Sequence, residues 1–429
     1  MRDIIVTLMV FGSLPFILRN AYIGVLVWSW LSYMNPHRLT WGFAYSMPFA
    51  QIVAATLLVS LFFSKERKPF PVNGLTVTWL LLLAWMIVTT VFALLPDVAY
   101  EQLIKVYKIQ IITLLTLVLF GSQKKLDLLI WVIVLSIGFF SVKGGVFTVL
   151  TGGAHRVYGP STSYISENNA LAVATLMIIP LMYYLYTVTR NKWIRYGLIF
   201  AMVASAASVV GSQSRGALIA IIAVGGFFWL KSKAKIVSGA LIVILAIAGW
   251  NFMPESWHER MSTIENYEED NSAMGRINAW LYSVNVANDR FTGGGLESWS
   301  EQTFAWYAPD PTDVHAAHSI FFAMLGDHGW PGLLMFLTVL ALGWRYLSQV
   351  IRFTKNKIEY EGQNTLARML QVSLIAYMSG GAFLSLAYFD LPWHILAIAV
   401  LLRVYIAPSS LQQEPESDNQ PPRRSLSYR

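Results

Sequence analysis

Residues 198–230 read LIFAMVASAASVVGSQSRGALIAIIAVGGFFWL, two apolar runs separated only by the polar turn GSQSRG at residues 211–216. The hydrocarbon core of a bilayer requires about 20 apolar residues per helix, and each run approaches that length. Backbone polar groups find no water there, so a spanning segment must satisfy them within a helix. This stretch therefore predicts two membrane-spanning helices whose connecting turn carries Arg215.

The rest of the chain repeats this pattern. Its 429 residues are 55% hydrophobic and 13% charged, with a mean hydropathy of +0.51, whereas a soluble domain carries about 25% charged residues. Residues 4–34 are divided by Arg19 and Asn20, so they form either one long interrupted helix or a re-entrant hairpin. We predict an all-α polytopic integral membrane protein with about 12 transmembrane helices. The other candidate spans are 45–63, 75–95, 103–120, 126–142, 168–188, 195–212, 214–230, 236–252, 330–350, 368–388 and 391–406.

Basic residues give the helices an orientation. By the positive-inside rule, loops rich in lysine and arginine face the cytoplasm, and these loops alternate along the chain, at 65–68, 124–125, 190–192, 231–235 and 352–368. We predict N-terminal transmembrane helices at 1–253, one long helical segment on the outer face at 254–327, C-terminal transmembrane helices at 328–407 and a disordered cytoplasmic tail at 408–429.

The outer face carries an unusual set of cations. All seven histidines map to this face or to the helix ends beside it, and its cations are mostly arginine. Guanidinium groups offer a rigid donor fork that suits phosphate, so this face is expected to handle anions. The arginines are Arg38, Arg156, Arg215, Arg260, Arg276 and Arg290.

Two of these positions have a specific chemical interpretation. His318 precedes an apolar stretch, and a partly desolvated imidazole can accept a proton near neutral pH; alternatively, it is a structural histidine bonded to a backbone carbonyl. Arg215 lies in a glycine-containing turn at the start of a helix, an arrangement that suits a phosphate. Its alternative role is an arginine that reaches out to lipid headgroups.

The remaining candidates have structural alternatives of equal simplicity. Arg276 could pair with the carboxylates of residues 265–270, the three glycines at 293–295 could form only a flexible turn, and Asn169 could cap a helix. His315 and His318 are spaced closely enough to suggest zinc, but no third ligand is evident. The chain has no cysteine, which excludes disulfides and a cysteine nucleophile. We therefore expect no metal and no cofactor.

Taken in order, these residues resemble the O-antigen ligase and O-antigen polymerase superfamily, and the resemblance covers most of the chain. The opening at residues 28–38 looks like an exosortase-associated O-glycosylation ligase branch. The usual proline before the glycine turn is absent, so Arg290 is a weaker match than the other arginines. The matching pieces are Ser214-Arg215-Gly216, Gly275-Arg276 with Trp280, Gly293-Gly294-Gly295, His318-Ser319 and Gly329-Trp330-Pro331-Gly332-Leu333.

The resemblance implies a GT-C-like glycosyltransferase of the bacterial inner membrane with a periplasmic active site. Its donor would be a glycan on undecaprenyl pyrophosphate, and its acceptor a sugar hydroxyl of lipid A–core. The family is thought to require neither a nucleotide sugar nor a metal, and transfer would invert the anomeric centre. Membrane lipids would be the other partners, and nucleic acid is not expected.

Within that scheme each candidate receives a role. Arg215 and Arg276 would hold the pyrophosphate, and His318 would accept or orient the proton of the acceptor hydroxyl. The expected substrate-binding residues are Arg156, Arg38, Arg290, His315 and Asn169. The amphipathic stretch 96–110, with Lys105 and Lys108, would border a lateral opening toward the membrane.

Three rival functions remain open. A polymerase would use the same donor with another lipid-linked repeat as acceptor, and a related ligase would transfer the glycan to protein or to exopolysaccharide. A transporter or flippase also suits about 12 helices, but such proteins show repeated halves and broken helices near the membrane midplane. We see no clear internal repeat, and the ionisable residues gather at one face.

Overall fold

A computed structural model describes residues 1–63, 67–231, 234–255, 257–258 and 271–406. The predicted tail at 408–429, Arg260 and the acidic stretch 265–270 lie outside these ranges. In the described part of the chain, helix is the only regular secondary structure. The N-terminal helices are α1 (Arg2–Arg19), α2 (Ala21–Met34), α3 (Phe49–Phe63), α4 (Gly74–Val91), α5 (Pro96–Leu119), α6 (Gln123–Leu150), α7 (Asn168–Val188), α8 (Lys192–Gly211), α9 (Arg215–Lys231) and α10 (Lys235–Phe252).

Five further helices follow. Two of them, α11 and α12, form the helical part of the predicted outer segment. Over the described residues, seven helices are long and apolar enough to cross a membrane, and three shorter apolar helices accompany them. This confirms the predicted all-α polytopic fold. The later helices are α11 (Asn271–Asp289), α12 (Glu301–Tyr307), α13 (Ile320–Thr354), α14 (Glu361–Gly381) and α15 (Asp390–Leu401).

The ambiguous first 34 residues form two helices. The chain breaks at Asn20, whose backbone is extended, between α1 and α2, and both helices pack against α3. The interruption predicted at Arg19 and Asn20 is therefore a break between two separate helices.

The centre of the molecule is α15. All twelve of its residues are buried, as expected for a helix that is apolar on nearly every side. Elsewhere in the bundle, α6 and α8 cross so closely that a β-carbon on Gly145 would overlap the carbonyl oxygen of Ala204. Glycine is required there because only it allows the two backbones to approach.

Helix α13 begins ten residues before the predicted span at 330–350. The Ser319 side chain caps it by accepting a hydrogen bond from the Phe322 N–H at 3.5 Å. Within it, Tyr388 donates to Asp327 at 2.6 Å and also contacts His328 at 3.0 Å. Helical structure therefore crosses the predicted boundary at 327 and reaches His328, and a kink at Gly329, where φ is +66°, separates this part from the rest of α13.

The predicted span 368–388 was placed too late. Helix α14 ends at Gly381, and residues 382–389 form a turn before α15. The paired glycines Gly380 and Gly381 weaken the helix at this point. As a consequence, polar residues expected inside the membrane helix lie in a turn at its end.

Candidate active site

Side chains of helix α11 hold the loop that carries His318. The Asn278 side-chain amide donates to the backbone carbonyls of Asp310 at 2.8 Å and Asp313 at 2.9 Å. Two residues further along the helix, the Trp280 indole N–H donates to the Ala317 carbonyl at 2.7 Å. Loop 308–319 is thus fixed at both ends before α13 begins.

His318 has a strained backbone within this fixed loop. Its φ is +42°, in the left-handed region that few residues other than glycine adopt. The half-buried ring contacts the Ser385 hydroxyl through Nδ1 at 3.3 Å. Strain of this kind persists where the surrounding structure enforces it, and it is concentrated at functional sites.

The surroundings of His318 favour its neutral form. Burial is the main cause that lowers the pKa of His318, followed by the positive charge of Arg276 and a smaller contribution from His315, while Glu167 opposes them. The imidazole is therefore largely unprotonated near neutral pH and able to accept a proton. Arg276, predicted from the sequence, is therefore close enough for its charge to act on His318.

Gly275 and His315 explain how Arg276 is positioned. A β-carbon on Gly275 would overlap the His315 ring, so α11 approaches loop 308–319 as closely as glycine permits. His315 Nε2 in turn lies 2.6 Å from an oxygen of Asp313. His315 therefore braces the loop against the helix turn that carries the half-buried Arg276.

Arg215 opens α9, directly after a strained turn. Gln213 has a φ of +54°, and its side-chain amide donates to the Gly153 carbonyl at 3.1 Å. The Asn168 amide donates to the Ser212 carbonyl at 2.7 Å. The start of α7 is therefore bonded to the turn before Arg215. Glu167, whose charge raises the pKa of His318, is the residue immediately before α7.

Turn 382–389 connects these elements. Its Phe383 lies against Gly216, where a β-carbon would be 3.6 Å from that of Phe383, and its ring centroid is 6.1 Å from that of Trp280. Ser385 of the same turn contacts His318. The turn thus contacts the residue after Arg215, the helix α11 that carries Arg276, and His318. These three elements carry the predicted catalytic residues.

Arg290 and the glycine turn have other contacts. The Arg290 guanidinium donates to the carbonyls of Gly293 and Phe92. The N–H groups of Gly294 and Gly295 donate to the α13 carbonyls of Gly326 at 2.7 Å and Asp327 at 2.9 Å. These backbone donors are occupied by α13, so the turn joins α4 to α13 rather than cradling a phosphate.

The other substrate-binding candidates lie on neighbouring loops. Arg38 lies over the Tyr45 ring at 4.5 Å, and Arg156 is exposed in loop 151–167. These two loops are joined by the Asn35 amide, which donates to the Ser161 carbonyl at 2.9 Å. Asn169 is half-buried in the first turn of α7. Among the described residues, no group of three or more histidines and carboxylates is arranged to hold a metal ion.

Two residues around His318 were not predicted. Glu167 occupies the position before the predicted span at 168–188, where we considered only caps, and Ser385 fell inside the predicted span 368–388. A carboxylate before an apolar run is common at helix starts, so the sequence offered no distinguishing signal for Glu167. Ser385 became recognisable only once α14 was seen to end early.

Fold and site together define a multi-pass membrane protein with a cationic, histidine-containing site at one end of its helices. Comparison with known families agrees: residues 200–337, which contain Arg215, Arg276 and His318, match the family described as O-Antigen ligase. Residues 1–190 match a family of unknown function (DUF5935), and no curated protein matches the chain. The match over residues 200–337 supports the resemblance to the O-antigen ligase-like superfamily that was predicted from the sequence. The family is one of ligase- or polymerase-type glycosyltransferases that use lipid-linked glycans and lipid acceptors.

Proposed function

We propose that the protein transfers a glycan from undecaprenyl pyrophosphate to a sugar hydroxyl of lipid A–core, on the periplasmic face of the inner membrane. The observation that supports this proposal is a desolvated, backbone-strained His318 on which the charge of Arg276 acts, within the segment that matches the ligase family. The arginine supplies positive charge for a phosphate leaving group, and the neutral imidazole supplies a base.

The proposed reaction is an inverting displacement at the anomeric carbon. The acceptor oxygen forms the new glycosidic bond while the bond between the sugar and the pyrophosphate breaks. Because Ser385 contacts Nδ1 of His318, we assign Nε2 as the atom that takes the hydroxyl proton. Glu167 stabilises the imidazolium that results, and undecaprenyl pyrophosphate leaves with the bonding electron pair.

The arginines act on the leaving group. Negative charge grows on the pyrophosphate as its bond to the sugar breaks, and pre-positioned cations stabilise that charge with little reorganisation. Removal of one such donor costs about 3–4 kcal/mol of barrier, or roughly two to three decades in rate. Arg215 and Arg276 are assigned this role, with Arg38 and Arg156 binding other phosphates of the substrates.

Transfer by the purified protein in liposomes tests the proposal. His318→Ala and Arg215→Ala should each lose about 100-fold or more of the rate. Arg352→Ala, at an exposed position near the C-terminal end of α13, should keep it. Near-wild-type turnover by folded His318→Ala or Arg215→Ala protein would remove that residue from the mechanism.

Cellular lipopolysaccharide distinguishes the ligase from a polymerase. Loss of a ligase leaves full-length polymer on its lipid carrier, whereas loss of a polymerase leaves single repeats. We expect deletion of this protein to produce the first pattern on gels. Single repeats would instead assign the same donor chemistry to polymerisation.

A further inference from the structure

An apolar groove lies on the side of the helix bundle, between α6 and α8. Its volume is about 610 Å³, which is within the size range of sites that bind small molecules. Met182 of α7 contributes to its lining, together with Trp131 of α6 and Ile194 of α8. Among the residues that line the groove, only Lys143 is charged. The groove is therefore a hydrocarbon-binding surface with a single cation.

The groove exists because two closely packed helices are lined by glycine where they separate. Helices α6 and α8 touch at Gly145 and Ala204. Nearer to their N-terminal ends, Gly138 and Gly197 line the space between them. A β-carbon on Gly197 would meet nothing within 4 Å, so a side chain at this position would occupy the groove without displacing the helices.

The groove opens toward the bilayer. Both α6 and α8 are long and apolar enough to cross a membrane, and Leu135, Phe139 and Ile194, which line the groove, are exposed. From Trp131 to Lys143 the lining of α6 extends over about 18 Å, slightly more than half of the roughly 30 Å hydrocarbon core. Because that core contains no water, the groove is filled by the chain of a lipid.

Lys143 adds a positive charge at one end of the groove. Its side chain is exposed, and among the residues that the structure describes no carboxylate forms an ion pair with it. It lies eighteen residues after Lys125 in α6, or about 27 Å, which is close to the full thickness of the hydrocarbon core. The positive-inside rule disfavours a lysine at that outer edge, and an ionisable residue on a membrane-spanning helix indicates a function.

We propose that this groove binds one chain of an anionic phospholipid, whose phosphate is bound by Lys143. An ammonium group is a compact point charge that binds phosphate, and basic residues between membrane helices bind lipid headgroups in this way. The isoprenoid tail of the proposed donor is a poorer match. Its pyrophosphate is assigned to Arg215 and Arg276, and the uncharged tail would leave Lys143 without a counterion.

A lipid in this groove supports the helix pair that precedes Arg215. At the far ends of α6 and α8, a β-carbon on Gly211 would overlap the Thr148 side chain, and Gly211 begins the turn that carries Arg215. A ligand that binds only the folded protein stabilises it. Phosphatidylglycerol should therefore raise the thermal midpoint of the wild type but not that of Gly197→Leu, in which the groove is filled.

Native mass spectrometry of the delipidated full-length protein in detergent measures the binding. The wild type should bind phosphatidylglycerol about 5- to 10-fold more tightly than phosphatidylethanolamine with the same chains, because only the former carries a net negative charge. Lys143→Met should abolish this preference, and Lys143→Arg should keep it. Gly197→Leu should weaken the binding of both lipids about 10-fold or more, since the chain loses its groove.

Two exposed positions outside the groove provide matched controls. Lys124→Met removes a lysine from the other end of α6. Gly12→Leu adds a side chain to α1 at a position where a β-carbon meets nothing within 4 Å. Both variants should bind the two lipids as the wild type does.

Three results would overturn the proposal. Equal affinity of the wild type for the two lipids, or a preference that persists in Lys143→Met, would show that Lys143 does not bind the phosphate. Unchanged binding by Gly197→Leu would place the lipid outside the groove. If Gly197→Leu lost only the binding of undecaprenyl pyrophosphate, the groove would belong to the donor. None of these measurements involves glycan transfer, so they are independent of the proposed function.

Discussion

The backbone of His318 is the most constrained feature of the site. A non-glycine residue in the left-handed region costs on the order of 1–2 kcal/mol, and loop 308–319 retains it because Asn278 and Trp280 hold the loop from α11. Asparagine tolerates this conformation far better than a β-branched residue does. The strain therefore allows the fold and the chemistry of this position to be separated.

His318→Asn should keep the fold and lose activity. We expect a thermal midpoint within about 2 °C of the wild type and a transfer rate lowered about 100-fold or more, since Asn fits the backbone but cannot act as a base. His318→Val should lose activity and also lower the midpoint. Circular dichroism melts and transfer rates measure both, and an active Asn variant would remove the base from the mechanism.

The charge next to His318 predicts a pH dependence. Burial and Arg276 lower the pKa of His318 below the usual 6.5, with His315 acting in the same direction and Glu167 against it. A base works in its deprotonated form, so activity should fall only as the pH drops through that lowered pKa. Arg276→Gln removes a positive charge, so the pKa should rise and the acid limb of kcat/KM should move to higher pH.

A pH profile of kcat/KM on each protein checks this shift separately from the loss of rate. Arg352→Gln, which removes an exposed arginine from the C-terminal part of α13, is the control for net charge. The account of the site would be contradicted by an acid limb in Arg276→Gln that stays in place or moves to lower pH.

At the scale of the helices, the kink in α13 at Gly329 is the feature on which the site depends. Helix α13 is broken there by a φ of +66°, and a β-carbon at Gly329 would overlap the Phe291 carbonyl oxygen. We expect Gly329→Ala to destabilise the protein by about 2–4 kcal/mol, combining backbone strain with steric overlap. Gly12→Ala in α1, where a β-carbon meets nothing within 4 Å, should be neutral or slightly stabilising.

Thermal unfolding in detergent compares these two variants. The glycine turn at 293–295 packs on the same kink, so Gly329→Ala should also expose it to proteolysis. An unchanged melting temperature for Gly329→Ala would show that the kink is not enforced by its contacts with residues 291–293.

Helices that are uniformly apolar could be predicted well from the sequence, and helices with polar interiors could not. The predicted and observed bounds of α7 coincide at 168–188, because a largely apolar run follows the two asparagines of its first turn. For α13 the polar Asp327 and His328 suggested a loop, since their partners Tyr388 and Thr89 lie far away in the chain. Local pattern contains no information about such distant partners.

The residues of the site also divide into those that the sequence could predict and those that it could not. Arg276 and His318 were selected as residue types suited to phosphate and proton transfer, and the structure places them together. Glu167 and Ser385 were missed because their role comes only from position. The engagement of Arg290 by two carbonyls was equally invisible, since it depends on how α4 meets the glycine turn.

At the scale of the whole molecule, the site requires three parts of the chain. Glu167 comes from the segment that matches the family of unknown function, Arg215, Arg276 and His318 from the ligase segment, and Ser385 from beyond both. The two family matches meet between α7 and α8, yet Asn168 bonds across that boundary to Ser212. Neither matched segment by itself supplies the surroundings of His318.

The complete absence of cysteine makes the orientation of this assembly directly measurable. Tyr158 is exposed in loop 151–167 on the side of the site, and Glu359 is exposed between α13 and α14 at the opposite end. The distribution of lysine and arginine predicts that the second loop faces the cytoplasm. In intact spheroplasts, a membrane-impermeant maleimide should therefore label Tyr158→Cys, and should label Glu359→Cys only after lysis. The reverse pattern would place His318 and its arginines in the cytosol, where a lipid-linked glycan displayed on the outer leaflet could not reach them, and the proposed transferase would be excluded whatever its geometry.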